Sequence, residues 1–426
     1  MNAISTRGGV PPTPIAEAIA RGIAADGGLF VPERLPRLAA SALDAAGDLP
    51  AVAARLLRPF LADSELAAAL PAMCHEALSF PVPLVALDDD SHVLELFHGP
   101  TAAFKDVGAR FLAACLQRIG PADQPLRTVL VATSGDTGGA VADAFFARPG
   151  FRVVILYPDG RVAPRQAHLL SCYGGNVATF AVGGSFDDCQ RMVKQAFADR
   201  RLGARLLLTS ANSISLGRLL PQMAYYASTA LDFARRGGER LNFVIPTGNL
   251  GNALACILAR EIGLPIGDIA LATNANRVLP DYFAGGDYAP ATSVATLANA
   301  MDVGDPSNFE RLRWWFEDDA LRARIVADHV GDDEIRATIT AFHARHGRAI
   351  CPHTATAARI LERRRDAGDR RPWCIVATAH PAKFETVVEP LVGHAIEPPA
   401  PLQQLLRQPA HAEPLAADYG ALCDAL

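Results

Sequence analysis

The residue in this chain best suited to covalent chemistry is Lys105, set in the run His98-Gly99-Pro100-Thr101-Ala102-Ala103-Phe104-Lys105-Asp106. It follows the apolar stretch Val93-Leu94-Glu95-Leu96-Phe97 and precedes an amphipathic helix that the spacing starts near Val107. Burial among Gly, Pro, Ala and Phe disfavours an ammonium ion and lowers its pKa, and a partly neutral lysine attacks a carbonyl to form a Schiff base. Taken alone, a lysine at such a place is more commonly a helix-start residue reaching into solvent.

Three further stretches carry groups suited to anions. Thr133-Ser134-Gly135-Asp136-Thr137-Gly138-Gly139 offers hydroxyls and backbone N–H groups between an apolar strand and a helix. Ser210 to Arg218 sets Asn212 and Ser213 before a helix with Gln222, and the forked guanidinium of Arg218 suits phosphate. Pro246-Thr247-Gly248-Asn249-Leu250-Gly251-Asn252 places two glycines three apart ahead of a helix N-terminus, an uncharged cradle. Each also reads as plain turn chemistry, and the second as an N-capped helix with its arginine in solvent. The full G-x-G-x-x-G with its downstream acid is absent, which argues against a dinucleotide site. A fourth stretch, Thr378-Ala379-His380-Pro381-Ala382-Lys383-Phe384, follows the buried run Trp373–Ala377. A hydroxyl at that strand end can donate a hydrogen bond to a ligand or accept one from it. His380 and Lys383 read as capping or solvent groups as readily as phosphate contacts.

These stretches need a scaffold of alternating strands and helices. Strands are predicted at Thr128–Ala132, Arg152–Tyr157, Asn176–Val182, Leu206–Ser210, Asn242–Ile245, Ile269–Thr273 and Trp373–Ala377, with helical patterns over about 141–148, 163–172, 186–200, 216–233 and 252–262. That alternation predicts right-handed crossovers and mostly parallel sheets covered on both faces, with ligands at the carboxyl ends of the strands. Residues 1–90 alternate helical patterns with Pro-rich punctuation, and Asp26-Gly27-Gly28 ends the first helix; the segment reads as a packing and closing unit. Asp302 and Asp305 fall in a Gly/Pro turn. The histidines His75, His92, His98, His168 and His353 are isolated from one another and read as structural, and no metal-ligand spacing appears.

With 426 residues, half of them apolar, the chain is long enough for two or three domains. A net charge of −5 gives no general preference for nucleic acid or anionic membrane, so any anionic ligand is held locally. The eight cysteines are widely spaced with no C-x-x-C pair, the usage of a reducing compartment. The N-terminus lacks a basic segment followed by an apolar one, and no run reaches the ~18 apolar residues of a membrane span, so a cytoplasmic location is expected.

The run Glu95-Leu96-Phe97-His98-Gly99-Pro100-Thr101 followed by Ala103-Phe104-Lys105-Asp106 resembles the Schiff-base lysine motif of the threonine synthases, in the β-family (fold type II) of pyridoxal-phosphate enzymes. The resemblance extends through Asp26–Pro32, the three anion loops, Ala272–Asn276, Ala300–Asn308 and Pro352–Ala355, from about residue 3 to 400. It implies two open, mostly parallel α/β domains with the active site between them, plus an N-terminal extension. The corresponding division is 1–90 for the extension, 91–106 with 235–395 for the large cofactor-binding domain, 107–234 for the small domain, and 396–426 for a tail packed on the surface.

The resemblance also implies site roles. Lys105 carries the cofactor, pyridoxal 5'-phosphate, and is catalytic. Asp136 lies near the ring oxygen, Gly248, Asn249, Leu250, Gly251 and Asn252 hold the cofactor phosphate, and Thr378 meets the ring nitrogen. Ser134 and Thr137 take the substrate carboxylate, and Asn212, Ser213 and Arg218 its phosphate. Ser215 stands where the family usually has Asn. The implied reaction converts O-phospho-L-homoserine and water to L-threonine and phosphate, in a monomer or homodimer without nucleic-acid or membrane partners. The alternatives are a related phospho-lyase that yields a ketoacid and a non-catalytic metabolite-binding α/β protein.

Overall fold

The computed structural model describes residues 1–44, 47–120 and 125–426. The chain starts with a small antiparallel sheet, β1 (Asn2–Ser5), β2 (Thr13–Pro14) and β3 (Phe30–Pro32), in the order β2-β1-β3. Asp26 closes the turn before β3 by accepting from Gly9 N at 2.8 Å, Gly28 N at 2.9 Å and Ser5 Oγ at 2.8 Å. Helix Leu49–Leu61 follows, capped by Asp48, and it buries Val52, Leu56, Leu57 and Phe60 on one face.

The remaining strands build two sheets. In chain order they are β4 (Leu84–Ala86), β5 (Ser91–Glu95), β6 (Arg127–Ala132), β7 (Phe151–Pro158), β8 (Val177–Val182), β9 (Leu207–Thr209), β10 (Leu241–Pro246), β11 (Ile266–Thr273), β12 (Ile325–His329), β13 (Trp373–Ala377) and β14 (Glu413–Leu415). The large sheet runs β12-β11-β10-β13-β5-β4, parallel except for the β4–β5 pair; the small one runs β14-β8-β7-β6-β9, all parallel. Central strands such as β10 and β13 are buried at every position because helices cover both faces. Strand β13 lies between β10 and β5, far from both in sequence, and its exit loop meets the Lys105 segment.

Several elements depart from the expected boundaries. The helix placed near Val107 begins at Lys105, and the one placed at 141–148 occupies Asp136–Phe145. Pro221 divides the stretch read as one helix over 216–233 into Leu216–Leu219, a 3₁₀ turn Leu220–Gln222 and Met223–Arg235, since proline lacks the N–H that a continuous helix needs. Residues 396–426, read as a surface tail, contribute β14 and the helix Tyr419–Ala425, whose Leu422 is buried in the apolar cluster on the outer face of the small sheet. No helix among the described residues is long and apolar enough to cross a membrane.

Candidate active site

Lys105 is positioned by fastening its loop to the exit of β13. Leu96 N donates to Ala377 O at 3.0 Å, Phe104 N to Thr378 O at 2.9 Å, and His380 N to Ala102 O at 3.0 Å. Ala102 takes a left-handed φ of 55°, a strained choice for alanine that the surrounding bonds enforce. Asp106 locks the loop from below, accepting from Thr101 N at 3.0 Å and from Thr101 Oγ1 at 2.5 Å. A Cβ at Gly99 would run into that carboxylate. Lys105 then opens the helix Lys105–Leu116, half-buried, and its Nζ has no hydrogen-bond or ion-pair partner among the described residues. Burial lowers its pKa to about 8; Asp136 pulls the other way, and Arg218 and Lys383 add to the lowering.

The loop after β6 turns on Thr133, whose Oγ1 accepts from Gly135 N at 3.1 Å and Gly138 N at 2.9 Å. Gly135 has φ of 143°, and a Cβ there would stand 2.8 Å from Gln166 Nε2. This turn delivers Asp136 to the first position of its helix, only 6% exposed. Its Oδ1 pairs with Lys383 Nζ at 2.7 Å and accepts from Gln166 Nε2 at 2.9 Å. Burial works against the carboxylate, yet Lys383, Lys105 and His353 together hold Asp136 well below the usual range. Ser134 and Thr137 are half-buried, and neither hydroxyl bonds another described residue.

The other two loops are joined to each other through Asn249. Its Nδ2 donates to Ser213 Oγ at 2.7 Å, its Oδ1 accepts from Ser307 N at 2.5 Å, and its carbonyl accepts from Asn308 Nδ2 at 2.8 Å. Asn252 turns its Oδ1 to the hydroxyls of Tyr225 (2.5 Å) and Tyr226 (2.8 Å), leaving Nδ2 buried without a partner among the described residues. The side chains of Asn249 and Asn252 are thus engaged largely elsewhere. The cradle that remains is backbone: Gly248, the left-handed Leu250 (φ 63°), and the first turn of helix Gly251–Glu261, whose N–H groups have no intrahelical acceptor.

Arg218 is 2% exposed; Nη1 donates to Ala211 O at 2.7 Å, while Nε has no partner among the described residues. Burial lowers its pKa to about 10, and it remains a cation. Ser215 Oγ is likewise buried and unpartnered among the described residues. Gly108, one turn beyond Lys105, lets the two helices approach closely, since a Cβ there would stand 2.9 Å from Arg218 O. Thr378 directly follows β13 and is buried.

The arrangement can therefore seat anions on uncharged N–H groups and on a buried arginine, beside a lysine of low proton affinity. Arg218 Nε, Ser215 Oγ and Asn252 Nδ2 are unfilled buried polar atoms, as a site built for a multiply anionic ligand requires. Sequence reasoning read His353 as structural and left Lys383 open between a capping or solvent role and a phosphate contact; the structure brings both into the charge field of Lys105. Lys383 is 1% exposed and also donates to Thr101 O at 2.7 Å. His353, 3% exposed, accepts from Ala300 N at 3.1 Å, and burial lowers its pKa to about 4. His380 caps its turn, accepting from Ala382 N at 3.2 Å. The one sequence signal for Lys383 was its place among Pro, Ala and Phe in a strand-exit loop.

A family model described as pyridoxal-phosphate dependent enzyme matches residues 81–379, one described as threonine synthase N terminus matches 2–78, and one described as threonine synthase, C-terminal matches 354–425. The chain is 38% identical to threonine synthase from Escherichia coli (strain K12), over 96% of this chain and 95% of that protein. The crystal structure of threonine synthase from Escherichia coli superposes with a TM-score of 0.91 at 36% identity, covering 100% of this chain and 99% of that one. A pyridoxal-phosphate-bound threonine synthase from Brucella melitensis gives 0.92 at 33% identity, covering 100% and 98%. The lone lysine, the uncharged cradle and the open donors fit such a cofactor, and with these matches the chain belongs to the threonine synthase family, pyridoxal-phosphate enzymes of fold type II.

Proposed function

We propose that this enzyme converts O-phospho-L-homoserine and water to L-threonine and phosphate, with Lys105 as its cofactor-bearing and proton-transferring residue. The observation that carries the assignment is Lys105 itself, half-buried, unpartnered and of lowered proton affinity where the anion-binding loops converge. Pyridoxal phosphate, when bound, supplies a conjugated ring that stores the electrons released on cleaving substrate C–H bonds.

The remaining work falls to side chains and backbone of this chain. Lys105 Nζ, about half neutral at pH 8, accepts the α proton, passes it on, and then accepts a β proton as phosphate leaves Cγ; a proton is then delivered to Cγ, water adds its oxygen at Cβ, and the last proton returns to Cα. Arg218, Asn212 and Ser213 hold the departing phosphate, and Ser134 and Thr137 hold the carboxylate. With pyridoxal phosphate bound, Asp136 would meet the ring oxygen, Thr378 the ring nitrogen, and Gly248, Asn249, Leu250, Gly251 and Asn252 the cofactor phosphate. Two separate anion seats suit a substrate that is both a carboxylate and a phosphate ester; this favours a phosphorylated amino acid over a neutral one.

The architecture behind this reading is an extension of residues 1–90, a large unit of 91–106 with 235–395, and a small unit of 107–234, completed by 396–426. Sheet membership supports the large and small units, with β14 joining the small sheet, whereas β4, inside residues 1–90, joins the large sheet. The enzyme works in the cytoplasm as a monomer or homodimer, and eight cysteines without a disulfide suit that compartment. The test is borohydride reduction of the purified holoenzyme with peptide mapping, alongside product analysis. Label on Lys105 and threonine as product are expected; label on another lysine refutes the assignment, and a ketoacid in place of threonine favours the phospho-lyase.

A further inference from the structure

Lys383 is the one other lysine buried in this region, and its two partners come from separate segments of the chain. It stands in the 3₁₀ turn Pro381–Phe384 beyond β13, 2.7 Å from Asp136 Oδ1 and 2.7 Å from the carbonyl of Thr101. Thr101 is itself held by Asp106, next in sequence to Lys105. A buried ammonium is retained only where its charge is matched. Here the match is Asp136, whose Oδ1 takes both Lys383 and Gln166 while Oδ2 has no hydrogen-bond partner among the described residues.

The charged groups around the two lysines define the balance. Lys105 feels Asp136, Arg218 and Lys383; Lys383 faces Asp136 and acts on Lys105, Asp106, His353 and His380. His353 and His380 are both lowered by burial to about 4 and are neutral near pH 7, and Asp106 is raised by burial to about 7. Asp136 is then the firmly ionised carboxylate that pairs with Lys383 directly and acts on Lys105 through its field. We propose that Lys383 is a positioning residue that sets the protonation of Lys105, by engaging the Asp136 carboxylate and fixing it to the Thr101 turn. Removing Lys383 leaves the whole charge of Asp136 to Lys105 and tightens the proton there. A contact between Lys383 and substrate phosphate would require breaking this pair.

The inference rests on Lys105 as the cofactor lysine, and the test separates the two. Visible absorbance of the resting holoenzyme is titrated with pH for the wild type, K383M, K383R, D136N and the double variant D136N/K383M. K383M is expected to raise the pH midpoint by about one unit and D136N to lower it, with the double variant near the wild type and K383R unchanged. A K383M midpoint that stays or falls, or single variants that shift in the same direction, overturns the proposal. Should K383M fail to fold, the double variant must still titrate above D136N. A wild type without a visible band refutes Lys105 as the cofactor lysine and takes this inference with it, whereas a normal wild-type band with the wrong shifts refutes only the role of Lys383.

Discussion

Gly248→Ala tests whether the cofactor-phosphate cradle is as tightly built as its geometry indicates. A Cβ at Gly248 would stand 2.7 Å from Met301 Cα, 3.2 Å from Met301 C and 3.1 Å from Val303 Cγ2. Carbon atoms pack at about 3.5–4.0 Å, so the shortest contact is roughly 0.8 Å too close. The neighbour is backbone, and it is fastened on several sides. Ala300 N donates to His353 Nε2 at 3.1 Å, Met301 N to Ala298 O at 2.9 Å, and Thr296 Oγ1 and Asn274 Nδ2 each reach Asp302 Oδ1 at 2.7 Å. Overpacking of this kind costs ~1–3 kcal/mol, about 5- to 150-fold in an equilibrium constant. If the apoprotein relieves the clash by letting the loop swing out, the same cost appears on binding. The assay is titration of apoprotein with pyridoxal phosphate by absorbance, alongside the apo melting temperature. A dissociation constant at least about fivefold higher, or a melting temperature lower by a few degrees, is expected. Gly251→Ala is the control, because a Cβ there meets only ordinary contacts at 3.7–3.8 Å and leaves the apo melting temperature intact. Unchanged affinity and unchanged melting of Gly248→Ala would refute the argument that the Met301 segment is rigid.

Arg218→Lys keeps the charge but loses the fork and the open Nε, and is expected to raise KM for the phosphorylated substrate by about tenfold; steady-state kinetics with an unaltered KM would remove Arg218 from the phosphate seat. Burial depresses His353 from 6.5 to about 4, so the unfolded chain binds that proton more readily. Its contribution to stability is full above about pH 6.5 and falls away towards pH 4, by at most ~3 kcal/mol. His353→Asn, which retains an acceptor for Ala300 N, should flatten urea-measured stability across that window, and an identical pH slope in both proteins would contradict it.

Much of this fold is legible in the sequence where burial is two-sided. Trp373–Ala377 is a continuous apolar run and is a central strand over those very residues, and the glycine-rich turns after β6 and β10 sit at strand ends as their composition requires. Edge elements are less legible. Strand β12 mixes Ile325 with Asp328 and His329 and leaves Val326 half-exposed, and β14 is Glu-Pro-Leu, so neither has a core-strand signature. At the site, Lys105 and the loops are visible as local motifs. The Lys383–Asp136 pair is not, because nothing local marks two opposite charges 247 positions apart, and whether a lysine near an apolar run is buried depends on the topology that supplies its carboxylate. The same holds for His353, which lacks any sequence neighbour of its own chemistry and gains its role from the Ala300 backbone.

The insertion of β13 between β10 and β5 has a consequence during synthesis. Strand β5 has no large-sheet neighbour but β4 until residues 373–377 have left the ribosome, so the Lys105 loop has nothing to fasten to for the intervening 277 residues (96–372). At bacterial and eukaryotic elongation rates that interval is roughly 15–60 s. Throughout it, one edge of the β4–β5 hairpin is an open template for pairing with other nascent chains. Five residues and the polar Ser91, His92 and Glu95 limit that hazard, and truncation anywhere before Trp373 should yield aggregation-prone chains rather than a smaller folded enzyme.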